Sequence, residues 1–115
     1  MVRRFLQANE LRKIEGMANL APRRTGLPFS IWVSEEIYAS GKHNRPRLKV
    51  LDREQEISGS ISIDEPIEIL AGDEITGKDW SALVQYIRQN REPLMKLWNQ
   101  EIDQGDYYIQ QKPIR

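Results

Sequence analysis

Apolar residues recur along the chain in two rhythms, and the rhythm changes with position. Across residues 27–34 they alternate, with Leu27, Phe29, Ile31 and Val33 on one side and Pro28, Ser30, Trp32 and Ser34 on the other. That two-residue period predicts a strand with one buried face. Residues 47–51 repeat it, with Leu48 and Val50 on one face and Arg47 and Lys49 together on the other. Ile57, Ile61 and Ile63 share a face in a run whose other face is Ser58, Ser60 and Ser62, so a third strand with a solvated serine face is expected. Residues 66–70 predict a short fourth strand, closed by Ala71-Gly72-Asp73. Short connections between these runs make an antiparallel sheet the expectation.

The rhythm then lengthens to that of a helix. Thr76-Gly77-Lys78-Asp79 has the form of a capping box and precedes Trp80, Leu83, Val84 and Ile87 at i, i+3, i+4 and i+7. Leu94, Leu97, Trp98 and Ile102 form a further stripe. Proline fits a helix only in its first turn, so Pro93 marks either a second helix or a kink. Near the start, Leu11, Ile14 and Ala18 predict another helix, capped by Asn9 and broken at residues 21–26. The fold class expected is α+β: a mainly antiparallel sheet of about four strands covered by C-terminal helices, with an N-terminal helix. Trp80 and Trp98 belong to the core in this arrangement, and Trp32 is covered by one of the helical segments. The chain divides into an N-terminal helix and linker at residues 1–25, the α+β domain at 26–103 and a tail at 104–115. The tail is polar apart from Tyr107, Tyr108, Ile109 and Ile114. Ordering it as an isolated strand would cost more entropy than so few contacts return. Pairing with a sheet edge or a second subunit would offset that cost, and a homodimer is expected.

Length and composition narrow the chemistry. At 115 residues the chain holds one domain. It has no cysteine and one histidine, which excludes disulfide frameworks, zinc-cysteine and iron-sulfur sites, thiol nucleophiles and a multi-histidine metal cage. No apolar stretch approaches the roughly 20 residues of a membrane span, and the basic start has no signal-peptide run, so a cytoplasmic protein is expected. Glycine-rich phosphate loops, nucleophile elbows and H-E-x-x-H elements are all missing, and no cofactor is expected. Charge is zero overall but bipolar. Residues 1–55 carry 11 Lys and Arg against 6 Asp and Glu, and residues 56–115 carry 6 against 11. The basic half suits a phosphate or acidic partner, or the two halves neutralise each other within the fold or across a dimer.

The residues best suited to chemistry lie in one segment. Lys42, His43, Arg45, Arg47 and Lys49 bring together the chain's histidine and a run of cations. Histidine exchanges a proton near neutral pH, and the cations would hold a phosphate or a developing anion. With Glu35 or Glu36 as second proton carrier, these parts would make a ribonuclease-like site. A solvated loop is the plainer alternative. Trp32, beside the serine face, adds the aromatic surface on which single-stranded nucleic acid stacks. Of the acids, Asp64, Glu65, Glu68, Asp73, Glu74 and Asp79 would need convergence to hold magnesium, so no metal site is expected. Asp73 and Glu74 more simply favour the positive end of the following helix.

The order of three pieces also carries a resemblance. Gly26-Leu27-Pro28-Phe29-Ser30-Ile31-Trp32-Val33-Ser34, His43-Asn44-Arg45-Pro46-Arg47-Leu48-Lys49-Val50 and the run from Tyr86 through Asn90-Arg91-Glu92-Pro93 to Trp98 resemble a family of small bacterial domains of unknown function. That family is marked by an H-x-P-P-H-x-H core and is often found beside toxin-antitoxin genes. Here His43 and Pro46 keep their places, Arg45 replaces the first proline, and Arg47 and Lys49 stand where the later histidines would be. The resemblance spans residues 26–103 and implies a small α+β domain in a toxin-antitoxin or phage-defence setting. The expected function is a stand-alone binding or regulatory module acting through a protein partner, and an enzyme is not expected. Its alternative is a nucleic-acid-binding protein or a ribonuclease-like enzyme using the His43 loop, with His43, Glu35 and Glu36 as catalytic groups.

Overall fold

A computed structural model describes residues 17–34 and 45–114. Among the described residues five strands run in chain order across one antiparallel meander: β1 (Met17–Leu20), β2 (Ile31–Ser34), β3 (Arg47–Leu51), β4 (Ile57–Ser62) and β5 (Ile69–Gly72). A one-turn helix α1 (Pro22–Thr25) joins the first two strands, and α2 (Gly77–Gln89), α3 (Arg91–Trp98) and α4 (Gln104–Gln110) follow the sheet. The class is therefore α+β with an antiparallel sheet.

Register explains which side chains share a face. Leu20 pairs with Ile31, Ile31 with Val50 and Leu48 with Ile61. With Val33 and Ile63 these residues form one buried face. Leu83, Tyr86 and Ile87 of α2, Leu94 and Leu97 of α3, and Tyr107 of α4 join it in a single core cluster. Each such aliphatic side chain contributes about 1.5–3 kcal/mol on leaving water. The next row, one residue out of phase, runs Asn19, Trp32, Lys49, Ser60, Ala71 across the five strands.

Several expectations are corrected by this geometry. The apolar spacing that suggested a helix up to residue 20 ends in β1, because Met17–Leu20 completes the sheet beside β2; residues 1–16 lie outside the described residues. Ser60 and Ser62, expected on a solvated face, are buried at 4% and 0% exposure, whereas Ile57, expected inward, is 51% exposed. Ser62 escapes the penalty of burial because its Oγ accepts the Glu68 amide at 2.8 Å. Thr76 caps α2 as expected, but its side chain makes no capping hydrogen bond. The capping box forms instead at α4, where Asp103 Oδ1 accepts the Asp106 amide at 2.8 Å and Asp106 Oδ2 accepts the Asp103 amide at 3.1 Å.

Pro93 sits in the first turn of a separate helix, so the two-helix reading holds over the kinked one. The junction residue Asn90 is 1% exposed. Its Nδ2 donates to the carbonyls of Tyr86 and Lys112, and its Oδ1 accepts the Lys112 amide at 2.7 Å. The tail is thereby ordered within its own chain. Tyr107 is fully buried and its hydroxyl meets that of Tyr86 at 2.7 Å. Ile114 donates its amide to Thr25. Gly26, at φ 81°, follows that turn, and a Cβ there would lie 1.9 Å from the Ile114 carbonyl oxygen. The C-terminal segment needs neither a sheet edge nor a second subunit to be ordered.

Candidate functional site

The cations singled out in the sequence meet different fates. Lys42 and His43, and the carboxylates Glu35 and Glu36, lie outside the described residues. Arg45 is committed to the β4–β5 connection: its guanidinium pairs with Asp64 at 3.1 Å and Glu68 at 3.0 Å and donates to the Pro66 carbonyl at 2.8 Å. The hydrogen bond to Glu68 holds its proton more firmly than usual. On the other flank of the same connection, Glu65 pairs with Arg88 and Arg91, and Arg91 also donates to the Ile63 carbonyl. Arg88, then Arg91, draw the Glu65 carboxyl down to about 2. Arg47 is 4% exposed, donates to the Arg45 carbonyl at 3.2 Å and lies over the Trp98 ring at 5.6 Å.

Trp32 and Lys49 are a different case. They are cross-strand partners on β2 and β3, and both are partly buried. Lys49 Nζ donates to Ser60 Oγ at 3.3 Å, and Ser60 is the next residue in the same row. Burial, followed by the charge of Arg47, lowers the lysine's proton affinity. The indole Nε1 of Trp32 is buried and has no hydrogen-bond acceptor among the described residues.

A cleft of about 560 Å³ opens where three loops meet. The segment before β2 contributes Phe29 and Pro28, the β3–β4 hairpin contributes Asp52, and the connection from β5 to α2 contributes Asp73, Glu74 and Ile75, with Asp79 from the first helical turn. The hairpin is fixed by Asp52, whose Oδ1 accepts the amides of Glu54 and Glu56 at 2.9 and 3.0 Å. The opposing connection is fixed by close backbone approach. Gly72, at φ 94°, leaves no room for a side chain, since a Cβ would lie 2.2 Å from the Ser58 carbonyl oxygen. Asp73 then donates its amide to that same oxygen at 2.9 Å.

The cleft's electrostatics are one-sided. Four carboxylates, Asp52, Asp73, Glu74 and Asp79, line it against one guanidinium, Arg53. None of the four is in an ion pair among the described residues, in contrast to Asp64, Glu65 and Glu68. Phe29 and Ile75 pack partly against the core and supply apolar surface beneath them. Among the described residues no group of three or more acidic or histidine side chains is placed to hold a metal ion, and no helix is long and apolar enough to cross a membrane.

Sequence reasoning weighed Asp73, Glu74 and Asp79 as magnesium ligands or helix-end charges and left out Asp52, Phe29 and Ile75. Their meeting depends on the β3–β4 and β4–β5 pairings together, which bring residues 52 and 73 to the same end of the sheet on either side of β4. Phe29 was legible as apolar, but the chain before Ile31 leaves the sheet, and that departure turns its ring toward the cleft loops. No protein-family model, curated protein or solved structure matches the chain.

Proposed function

We propose that the protein is a binding module that holds a protein partner through a basic, extended segment seated in the cleft between the β3–β4 hairpin and the β5–α2 connection. One observation carries the reading: four carboxylates without cation partners among the described residues surround an apolar floor. Like charges gathered in this way repel one another, and a partner's Lys or Arg side chains would relieve that repulsion while their alkyl stems cover Phe29 and Ile75. The same charge pattern repels phosphate, so nucleic acid is not the ligand of this surface. A regulatory role in a toxin-antitoxin or phage-defence setting is what the family resemblance adds to this reading.

The test is affinity capture from the native host, made with the wild-type chain and with a double variant, Asp73→Lys with Glu74→Lys. Both residues are exposed and lie outside the core, so the variant is expected to fold. The reading expects a partner that the wild type retains and the variant loses, and whose isolated basic segment binds the wild type. Equal retention by both chains, or a partner with no basic segment at the contact, overturns it.

A further inference from the structure

The outer row of the sheet carries a second site that does not depend on the cleft. Three hydrogen-bond donors stand side by side on adjacent strands: the Trp32 indole on β2, the Lys49 amine on β3 and the Ser60 hydroxyl on β4. Directly opposed residues on one sheet face hold their Cβ atoms about 5 Å apart, close enough for neighbouring side chains to share a small ligand. Their internal bonding is incomplete in one direction only. Ser60 Oγ accepts from Lys49, so its own proton is still available, and the ammonium has two further donors. Among the described residues, Lys49 has no carboxylate within ion-pair distance and the buried indole N–H has no acceptor.

A buried donor without an acceptor is uncommon, because its desolvation goes uncompensated. Here such a donor belongs to the cross-strand partner of a partly buried cation that, among the described residues, also lacks a counter-charge. What the row lacks is an acceptor carrying one negative charge. We infer that Trp32, Lys49 and Ser60 form a binding site for a carboxylate group, supplied by an Asp or Glu side chain or a small organic acid. A carboxylate's two oxygens accept about four hydrogen bonds, enough for the indole, the ammonium and the hydroxyl together. Its single charge matches the one ammonium of the row. Arg47, buried on the same strand and already engaged with the Arg45 carbonyl and the Trp98 ring, adds favourable field.

The experiment uses the full chain labelled with ¹⁵N. Its three tryptophans give three indole N–H signals, and Trp32→Phe identifies the one from Trp32. Acetate is titrated at constant pH and ionic strength against chloride, with inorganic phosphate as a second arm. Saturable movement of the Trp32 signal with acetate is expected, with no movement in chloride. Lys49→Met, which keeps the alkyl stem, is expected to weaken acetate at least about tenfold, as for one charge-assisted hydrogen bond, while Lys49→Arg retains binding. Thermal unfolding of each variant separates loss of the site from loss of the fold. A Trp32 signal that ignores acetate, one that moves equally in chloride, or acetate binding undiminished in a folded Lys49→Met chain overturns the proposal. Tighter binding of phosphate than of acetate overturns the carboxylate assignment. Because the cleft residues are untouched, failure here leaves the basic-segment reading standing, and failure of that reading leaves this site standing.

Discussion

Replacing Asn90 with alanine tests how the two ends of the domain are joined. The side chain is 1% exposed and makes three hydrogen bonds: to the Tyr86 carbonyl at 3.0 Å, to the Lys112 carbonyl at 2.9 Å and from the Lys112 amide at 2.7 Å. Both carbonyls keep other donors after truncation. The Tyr86 oxygen still accepts the Asn90 amide, and the Lys112 oxygen still accepts Gln89 Nε2 at 2.9 Å. Only the Lys112 amide loses its acceptor outright. At about 1 kcal/mol for each net hydrogen bond, with water replacing part of the loss at the exposed Lys112, the variant is expected to lose about 2–3 kcal/mol. Urea unfolding measures that loss. Hydrogen exchange at Ile114, whose amide donates to Thr25, is expected to accelerate along with it. A loss below about 0.5 kcal/mol with Ile114 protection unchanged would refute the view that Asn90 ties the C-terminal segment to the helix junction.

Gly72→Ala is expected to destabilise by more than the 1 kcal/mol of an ordinary helix or strand glycine, since both the positive φ and the Ser58 carbonyl resist a Cβ; a melting temperature equal to wild type contradicts this. Tyr86→Phe removes the buried partner of the Tyr107 hydroxyl and is expected to cost about 1–3 kcal/mol in urea unfolding; an unchanged midpoint would count against that bond. The Glu65 carboxyl is lowered to about 2 by Arg88 and Arg91, whereas an unfolded carboxyl titrates near 4.3. Its pairing therefore stabilises the fold above about pH 4.3, and that contribution is lost as pH falls through about 2. The difference in urea midpoint between wild type and Glu65→Gln is expected to shrink over that window, and a difference independent of pH contradicts the assignment.

Three of the five described strands were legible because Ile31 with Val33, Leu48 with Val50 and Ile61 with Ile63 alternate cleanly, and two of the helices because Leu83 with Ile87 and Leu94 with Trp98 keep helical spacing; the strand expected at residues 66–70 meets β5 (Ile69–Gly72) only at Ile69 and Leu70. The first strand was hidden because Met17–Leu20 is too short to show a period and continues an apolar spacing that suits a helix equally well. The last helix was hidden for a related reason. Its seven residues bury Tyr107 alone from the middle of the segment, and its start is set by Asp103 and Asp106, a capping box with aspartate in both places. Polarity misled at Ser60 and Ser62. Serine is read as a surface residue, yet the Glu68 amide and the Lys49 ammonium give these buried hydroxyls hydrogen-bond partners. Charge was legible as composition but not as pairing. The sequence shows Arg45 and Lys49 as equals, and only the fold separates an arginine clamped by Asp64 and Glu68 from a lysine with no counter-charge among the described residues.

The central claim is that the cleft carboxylates, which have no ion pair among the described residues, select a basic segment of a protein partner. Its most direct measurement is the dissociation constant of the captured partner for wild type, for Asp73→Lys, for Glu74→Lys and for Glu101→Lys, an exposed acid that does not line the cleft. Because facing like charges cost several kcal/mol, each cleft reversal is expected to weaken binding about tenfold or more, and raised salt is expected to weaken the wild type. Glu101→Lys is expected to bind as wild type does. Equal dissociation constants for all four chains would contradict the claim.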